Sequence, residues 1–189
     1  KQVRIYADDE ELKQMSVCHK RCIEVMKEVF RSVVPRSLFR ALDVAGGDGR
    51  LSTGLLMKSY AKVDLFDWCP VAISMAERAM SNNAAFGFAQ QATMQDFKWS
   101  FSYSSIFMVW CAGYLERVEL VQFLKMAKTK LIVDSGRMLR KHVPESFIFL
   151  LDNVLEEGEQ PVVVKDQLVR TKTSFEAIFK EAGLITHHC

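Results

Sequence analysis

The stretch Ala41-Leu-Asp-Val-Ala-Gly-Gly-Asp-Gly-Arg50 limits what this chain can fold into more than any other. The apolar residues around Asp43 read as a buried strand, and the glycines at 46, 47 and 49 let the backbone turn tightly with positive φ. Apolar residues then recur at helical spacing from Leu51 to Met57. A strand, a glycine turn and a helix start together make a ligand cradle. Backbone N–H groups and the positive end of the helix dipole face outward there, and the glycines leave room for a close approach.

A second strand narrows the ligand. About twenty residues on, Lys62-Val-Asp-Leu-Phe-Asp67 reads as a short strand ending in an acid, the position at which doubly wound folds grip a ribose diol. The turn is not Gly-x-Gly-x-x-Gly, and no Gly-Lys-Ser/Thr sequence comes after it. Dinucleotides and nucleoside triphosphates are therefore disfavoured.

On these residues the chain resembles the class I methyltransferases that use S-adenosylmethionine, whose first motif is an acid, x, Gly, x, Gly, x, Gly after the first strand. Asp43, Gly47 and Gly49 match it, and Ala45 stands where the first glycine would be. Within that class the chain is most similar to the protein α-N-terminal methyltransferases, which act on the free amino terminus of Xaa-Pro-Lys proteins. The similarity runs from about Ala41 to Leu124 and resumes from about Leu155 to Leu184. Its parts are Leu42-Asp43, Gly49-Arg50, Val63-Asp64 with Asp67, Gln95-Asp96-Phe97, Trp110 with Gly113, Val164-Lys165-Asp166, and Ala182-Gly183-Leu184.

The resemblance implies an α/β fold of the Rossmann-like, doubly wound type, with a mostly parallel sheet and helices on both faces. It implies S-adenosylmethionine as cofactor, held by Asp43, Ala45, Gly47, Gly49, Arg50, Asp67, Trp68, Met94, Gln95 and Val109. Trp110 and Tyr114 would line the acceptor side, the family usually having His where Tyr114 stands. Asp166-Gln167 takes the place of the Asp-Asn pair that the family presents to the substrate amine. The expected reaction is in-line methyl transfer to a protein or peptide N-terminus. Three departures keep a non-catalytic binding protein on the same fold in view: Ala45, the lack of a second carboxylate after Asp166, and the lack of the family's Trp-Pro and Leu-Gly-Gly-Tyr clasp. An RNA or small-molecule methyltransferase is a third reading. The Val109-Trp-Cys-Ala-Gly-Tyr segment lacks the Asp/Asn-Pro-Pro-aromatic sequence of enzymes that methylate nucleic-acid bases.

Composition sets the outer limits. With 189 residues, 49% of them hydrophobic, one domain with a proper core is expected. A formal charge of +2, with basic and acidic residues interleaved, argues against a nucleic-acid partner. No apolar run approaches the ~20 residues needed to span a bilayer, so membrane association is not expected. A cytoplasmic or nuclear location is the expectation. The five scattered cysteines read as reduced thiols.

Along the chain, residues 12–34 read as an amphipathic helix within an N-terminal segment, 1–35, closed by Pro35. Cys18-His-Lys-Arg-Cys22 on that helix supplies too few ligands for a metal. Pro70 suits the first turn of a helix that carries Val71, Ile73, Met75, Ala76 and Met80. Trp68 is read either as ordinary packing or as a face for adenine. A third strand is expected over 84–89, with Gln91-Ala-Thr-Met-Gln-Asp-Phe97 as the loop after it, and Ser105–Trp110 is a central fourth strand. Glu116–Lys128 and Ser174–Ala182 read as amphipathic helices, the second closed by Gly183. Two segments compete for the fifth strand, Leu131-Ile-Val-Asp134 and Leu155 to Asp166, and the second is preferred. Residues 130–154 then become an insertion, and 144–157 a helix, apolar all round, that is either buried or docks a protein partner. A sixth strand is expected to start at Leu184, and His187-His188-Cys189 is read as a terminus rather than a metal site.

Overall fold

The computed structural model describes residues 38–132, 146–164 and 166–186, together with Glu24. Apart from Glu24 these lie in one compact unit, Ser37–Cys189. Apart from Glu24, the expected helix over 12–34, with Cys18 and Cys22, and the terminal His187–Cys189 fall outside the described residues.

Five strands form a sheet in the order β3-β2-β1-β4-β5, every neighbouring pair parallel. They are β1 (Leu38–Val44), β2 (Tyr60–Asp67), β3 (Phe86–Gln91), β4 (Ser105–Val109) and β5 (Phe147–Leu151). β1 is central, and its Ala41, Leu42, Asp43 and Val44 are all buried, as a strand covered on both faces requires. Helix α1 (Arg50–Gly54) and a 3-10 turn at Leu56–Lys58 lead from β1 to β2, and α2 (Pro70–Met80) leads from β2 to β3. The chain then returns to the other side of β1. Strand order reverses between β1 and β4, and the carboxyl ends of strands at such a switch point open a crevice.

Packing alternates with the pleat. Leu42, Val44, Ile106 and Met108 share a cluster with Leu120, Phe123 and Leu124 of α3 (Arg117–Thr129) and with Phe175 and Ile178 of α4 (Lys172–Glu181). Phe97 extends that cluster by stacking on Phe66, ring centres 4.1 Å apart. Helix ends follow local chemistry. Pro70 opens α2, a reciprocal Glu116–Glu119 capping box opens α3, Thr171 accepts from the Ser174 N–H at the start of α4, and Gly183, at φ 71°, closes α4. Register between β1 and β2 is reinforced by Arg40, which donates to both oxygens of fully buried Asp64 at 2.6 and 2.9 Å. β3 passes so close that a Cβ at Gly87 would lie 1.9 Å from Asp64 Oδ1.

The fifth strand corrects the expectation. It is Phe147–Leu151, paired along its length with β4, and not Leu155–Asp166. The expected 144–157 helix is therefore absent over its described residues, and the protein-docking surface assigned to it goes too. A short run that is apolar on every side cannot be typed by periodicity. Five residues of Phe, Ile and Leu ended by an acid are too few for a helix and suit a strand. The segment expected as an insertion thus contains an integral strand. Leu131 makes only an isolated bridge with Tyr103. Residues beyond β5 build a separate three-stranded sheet, β6 (Val154–Leu155), β8 (Gln167–Thr171) and β7 (Val162–Val164), in which β7 and β8 run antiparallel. No strand starts at Leu184, and the third strand lies two residues later than expected.

Candidate active site

The glycine turn leaves β1 at Ala45, whose φ of 51° is in the left-handed region, and its methyl packs against the core cluster that holds Phe66 and Cys111. Each glycine after it has its own reason. A Cβ at Gly46 would come within 2.6 Å of Leu65 and 2.8 Å of Asp43. Gly49, at φ 78°, packs on α2, where a Cβ would lie 3.0 Å from Met80 Sδ. Gly47, at φ 57°, faces open space, and is the glycine that lets a ligand approach.

The N–H groups of the turn's three glycines have partners within the protein, contrary to the sequence expectation. Gly46 donates to the Phe66 carbonyl at 3.1 Å and Gly49 to the Gly46 carbonyl at 3.0 Å. Gly47 donates to Asp67 Oδ2 at 3.0 Å. α1 is five residues long, so its dipole is small. This is no phosphate cradle.

Asp67 ends β2 as expected and points at the turn. It is 7% exposed, with Oδ1 accepting from the Cys69 N–H at 2.9 Å and Oδ2 from Gly47. A carboxylate has about four acceptor positions. The two N–H donors fix its plane and leave acceptor capacity for a diol. Asp43 lies beneath the turn, buried, and accepts from the Ser52 hydroxyl at 2.7 Å. Burial pushes its carboxyl up to about 7, against the pull of the Ser52 bond and with help from the charge on Asp67.

The other cofactor-side residues divide. Trp68 is 55% exposed beside Asp67, and its carbonyl accepts from Gln91 Nε2 at 3.2 Å, so the tryptophan is not core packing. Met94 is half-buried against the core cluster. Val109 is half-buried at the end of β4. Gln95 is exposed and donates to Glu119 of α3 at 3.2 Å. Arg50 is exposed and pairs with Asp48 at 2.6 Å.

The acceptor side forms where β4, β5 and β8 meet. Trp110, at φ 54°, turns the chain out of β4, its N–H donating to the Leu151 carbonyl at 2.8 Å. A 3-10 turn, Ala112–Tyr114, comes next and leaves Tyr114 54% exposed. Cys111 is buried, its thiol donating to the Val44 carbonyl at 3.7 Å, and burial pushes that thiol well up, so it is inert.

Moving the fifth strand changes which acid stands at its carboxyl end. The residues directly after β5 are Asp152-Asn153, not Asp166-Gln167. Asp152 Oδ2 accepts from the Ala112 N–H at 2.9 Å and Oδ1 from the Asn153 N–H at 2.9 Å. Burial holds its carboxyl above the usual range, opposed by those backbone bonds and by the charge of Arg170. Sequence reasoning missed Asp152, although an Asp-Asn pair directly after an apolar run, with Glu-Glu-Gly soon after, was there to be found. Asp166 is exposed, at φ 65°, beyond β7. Gln167 does not stand open to a substrate. Its Nε2 donates to the Trp110 carbonyl at 3.2 Å.

Comparison with known proteins agrees with this fold. The family model described as AdoMet dependent proline di-methyltransferase matches residues 20–188. An alpha N-terminal protein methyltransferase 1 of Arabidopsis thaliana is 28% identical over 76% of this chain and 50% of its own length. A SAM-dependent methyltransferase of Leishmania major has 26% identity and a TM-score of 0.76, over 91% of this chain and 65% of that one. DesVI of Streptomyces venezuelae, at 14% identity and a TM-score of 0.69 over 96% of this chain and 92% of its own, shares the fold. The chain thus spans about half the length of the curated relative. It belongs to the AdoMet-dependent proline di-methyltransferase family.

Proposed function

As a member of that family, we propose, this chain binds S-adenosylmethionine across the ends of β1 and β2 and transfers its methyl group to the terminal amine of a protein or peptide, the Xaa-Pro-Lys class being the first candidate. The single observation that carries the reading is Asp67 aimed into the glycine turn and held by the Gly47 N–H at 3.0 Å. That places a nearly buried carboxylate beside the one glycine of the 46–49 turn whose side-chain position is open. Asp67 would hold the ribose hydroxyls, Gly47 would pass the methionine end, and Trp68 would lie against the adenine.

When bound, the cofactor supplies an electrophilic methyl on a sulfonium. The chain's own part is to orient an amine and to take its proton. A terminal ammonium has a pKa near ~8 and must become neutral before it can attack. We assign that proton to Asp152, whose carboxyl burial has made more basic than an ordinary aspartate. Each transfer forms one C–N bond as one C–S bond breaks, and a monomethylated terminus sheds a second proton before the second transfer. Trp110 and Tyr114 would wall the acceptor, and Asp166, exposed at the rim, is assigned a contact with the peptide beyond its first residue.

One observation favours a non-catalytic binding protein: Ala45 keeps its methyl at positive φ where the family motif has glycine. Against it, that methyl packs on the core cluster rather than standing in the turn. Mass spectrometry of Xaa-Pro-Lys peptides incubated with protein and cofactor tests the reading. A gain of one or two methyl masses at the amino terminus is expected, and no gain across a broad peptide set would remove it.

A further inference from the structure

The segment from Trp110 to Leu115 carries the acceptor wall and the N–H that anchors Asp152, yet little in its own sequence holds it in shape. It begins with a non-glycine residue at φ 54°, in the left-handed region that L side chains rarely adopt. Such a conformation persists only where surroundings over-determine it. Here those surroundings are the Leu151 carbonyl of β5, which takes the Trp110 N–H, and β8. Gln167 Nε2 reaches the Trp110 carbonyl at 3.2 Å. Arg170, 2% exposed, donates to the Ala112 carbonyl at 3.2 Å, to its own strand at Leu168 at 3.3 Å, and to the Leu115 carbonyl. Gly113 lies so near β8 that a Cβ would come within 3.0 Å of Gln167 Cβ and 3.2 Å of the Leu168 carbonyl.

A buried guanidinium is expensive to desolvate. One whose hydrogen bonds go to backbone carbonyls is an unusual means of pure stabilisation, since an apolar side chain would fill the same space. The fork of Arg170 instead fixes two carbonyls three residues apart, and so sets the pitch of the 3-10 turn between them. That turn presents the Ala112 N–H to Asp152. We propose that β8 is the positioning strand of the acceptor half: Gln167 and Arg170 hold residues 110–115 in the conformation in which Trp110 walls the acceptor and Ala112 orients Asp152. Both are positioning residues, acting through the segment they hold. The proposal refines the assigned function by naming what shapes the acceptor side.

The test uses the indole N–H resonances of Trp68, Trp99 and Trp110, the three tryptophans of the chain, with Trp110→Phe for assignment. Gln167→Leu removes the donor, and the Trp110 resonance is expected to move while the other two stay. Gln167→Glu separates a hydrogen bond from bulk. At pH 8 its carboxylate repels the Trp110 carbonyl and the spectrum should match that of Gln167→Leu. At pH 4, below the ordinary Glu pKa of about 4.3, the protonated form donates its O–H and the parent position, recorded at the same pH, returns. Kinetically, Gln167→Leu and Arg170→Lys should raise the acceptor KM about tenfold while cofactor affinity stays within twofold. Arg170→Lys keeps the charge and loses the fork. A Trp110 resonance at the parent position in both Gln167 variants at both pH values would overturn the proposal, as would cofactor and acceptor affinities falling together. Resonance shifts as expected in a protein that methylates no peptide would support the clamp and reject the assigned activity.

Discussion

The donor half of the crevice and the acceptor half are built by different means. On the donor side, Gly47 meets Asp67 across 20 residues and Ser52 meets Asp43 across nine, all within one β-α-β passage. On the acceptor side, Ala112 meets Asp152 across 40 residues, Gln167 meets Trp110 across 57 and Arg170 meets Ala112 across 58. The first is a local motif whose shape comes from glycine and a strand end. The second exists only once β4, β5 and β8 have been brought together, and among the described residues the non-glycine residues at positive φ are Ala45 at the end of β1, Trp110 at the end of β4 and Asp166 in the turn between β7 and β8.

Breaking the acceptor half should leave the donor half intact. The largest effect is expected from Asp152→Asn, which keeps an oxygen for the Ala112 N–H and removes the proposed base. Turnover should fall about 10²- to 10⁴-fold, the range for loss of a general base, with cofactor affinity unchanged by titration. Asp166→Asn should change turnover by less than about fivefold. Equal losses for the two variants would return the catalytic role to the residue that sequence reasoning picked.

The same asymmetry governs how much of the molecule is legible in its sequence. The turn at 45–49, Asp67 at its strand end, Pro70 opening a helix and Gly183 closing one each depend on a few neighbouring residues, and all fall where expected. Phe147–Leu151 depends on a partner strand 42 residues earlier, and periodicity alone does not type it, although its length suits a strand. That single error carries Asp152 out of view and puts Asp166-Gln167 in its place. Nothing local to Gln167 or Arg170 announces that they bind carbonyls of another strand's loop.

The remaining predictions probe the sheet that carries the donor half and the donor half itself. Gly87→Ala should cost roughly 3 kcal/mol in denaturant unfolding, because its Cβ displaces Asp64 and uncouples the buried pair with Arg40. An effect under about 1 kcal/mol would mean that β3 yields easily. Asp43 supplies a pH signature. Its folded pKa, about 7, is above the ordinary value near 3.9, so its contribution to stability is fully present below pH ~4 and is lost as pH rises through 7. Asp43→Asn, which still accepts from Ser52, should flatten the fall in unfolding free energy between pH 5 and 8 by on the order of 2 kcal/mol. The smallest effect is Ala45→Gly. Relief of the left-handed alanine should stabilise the fold by about 1 kcal/mol, seen as a rise of a few degrees in Tm, without loss of cofactor affinity.

Calorimetric titration with S-adenosylmethionine tests the central claim most directly. The folded parent is predicted to bind at micromolar concentration. Asp67→Ala, which removes the acceptor of the Gly47 and Cys69 N–H groups together with the diol acceptor, is predicted to weaken binding by about 30-fold or more. No heat from a folded parent, or an unchanged isotherm for Asp67→Ala, would contradict it.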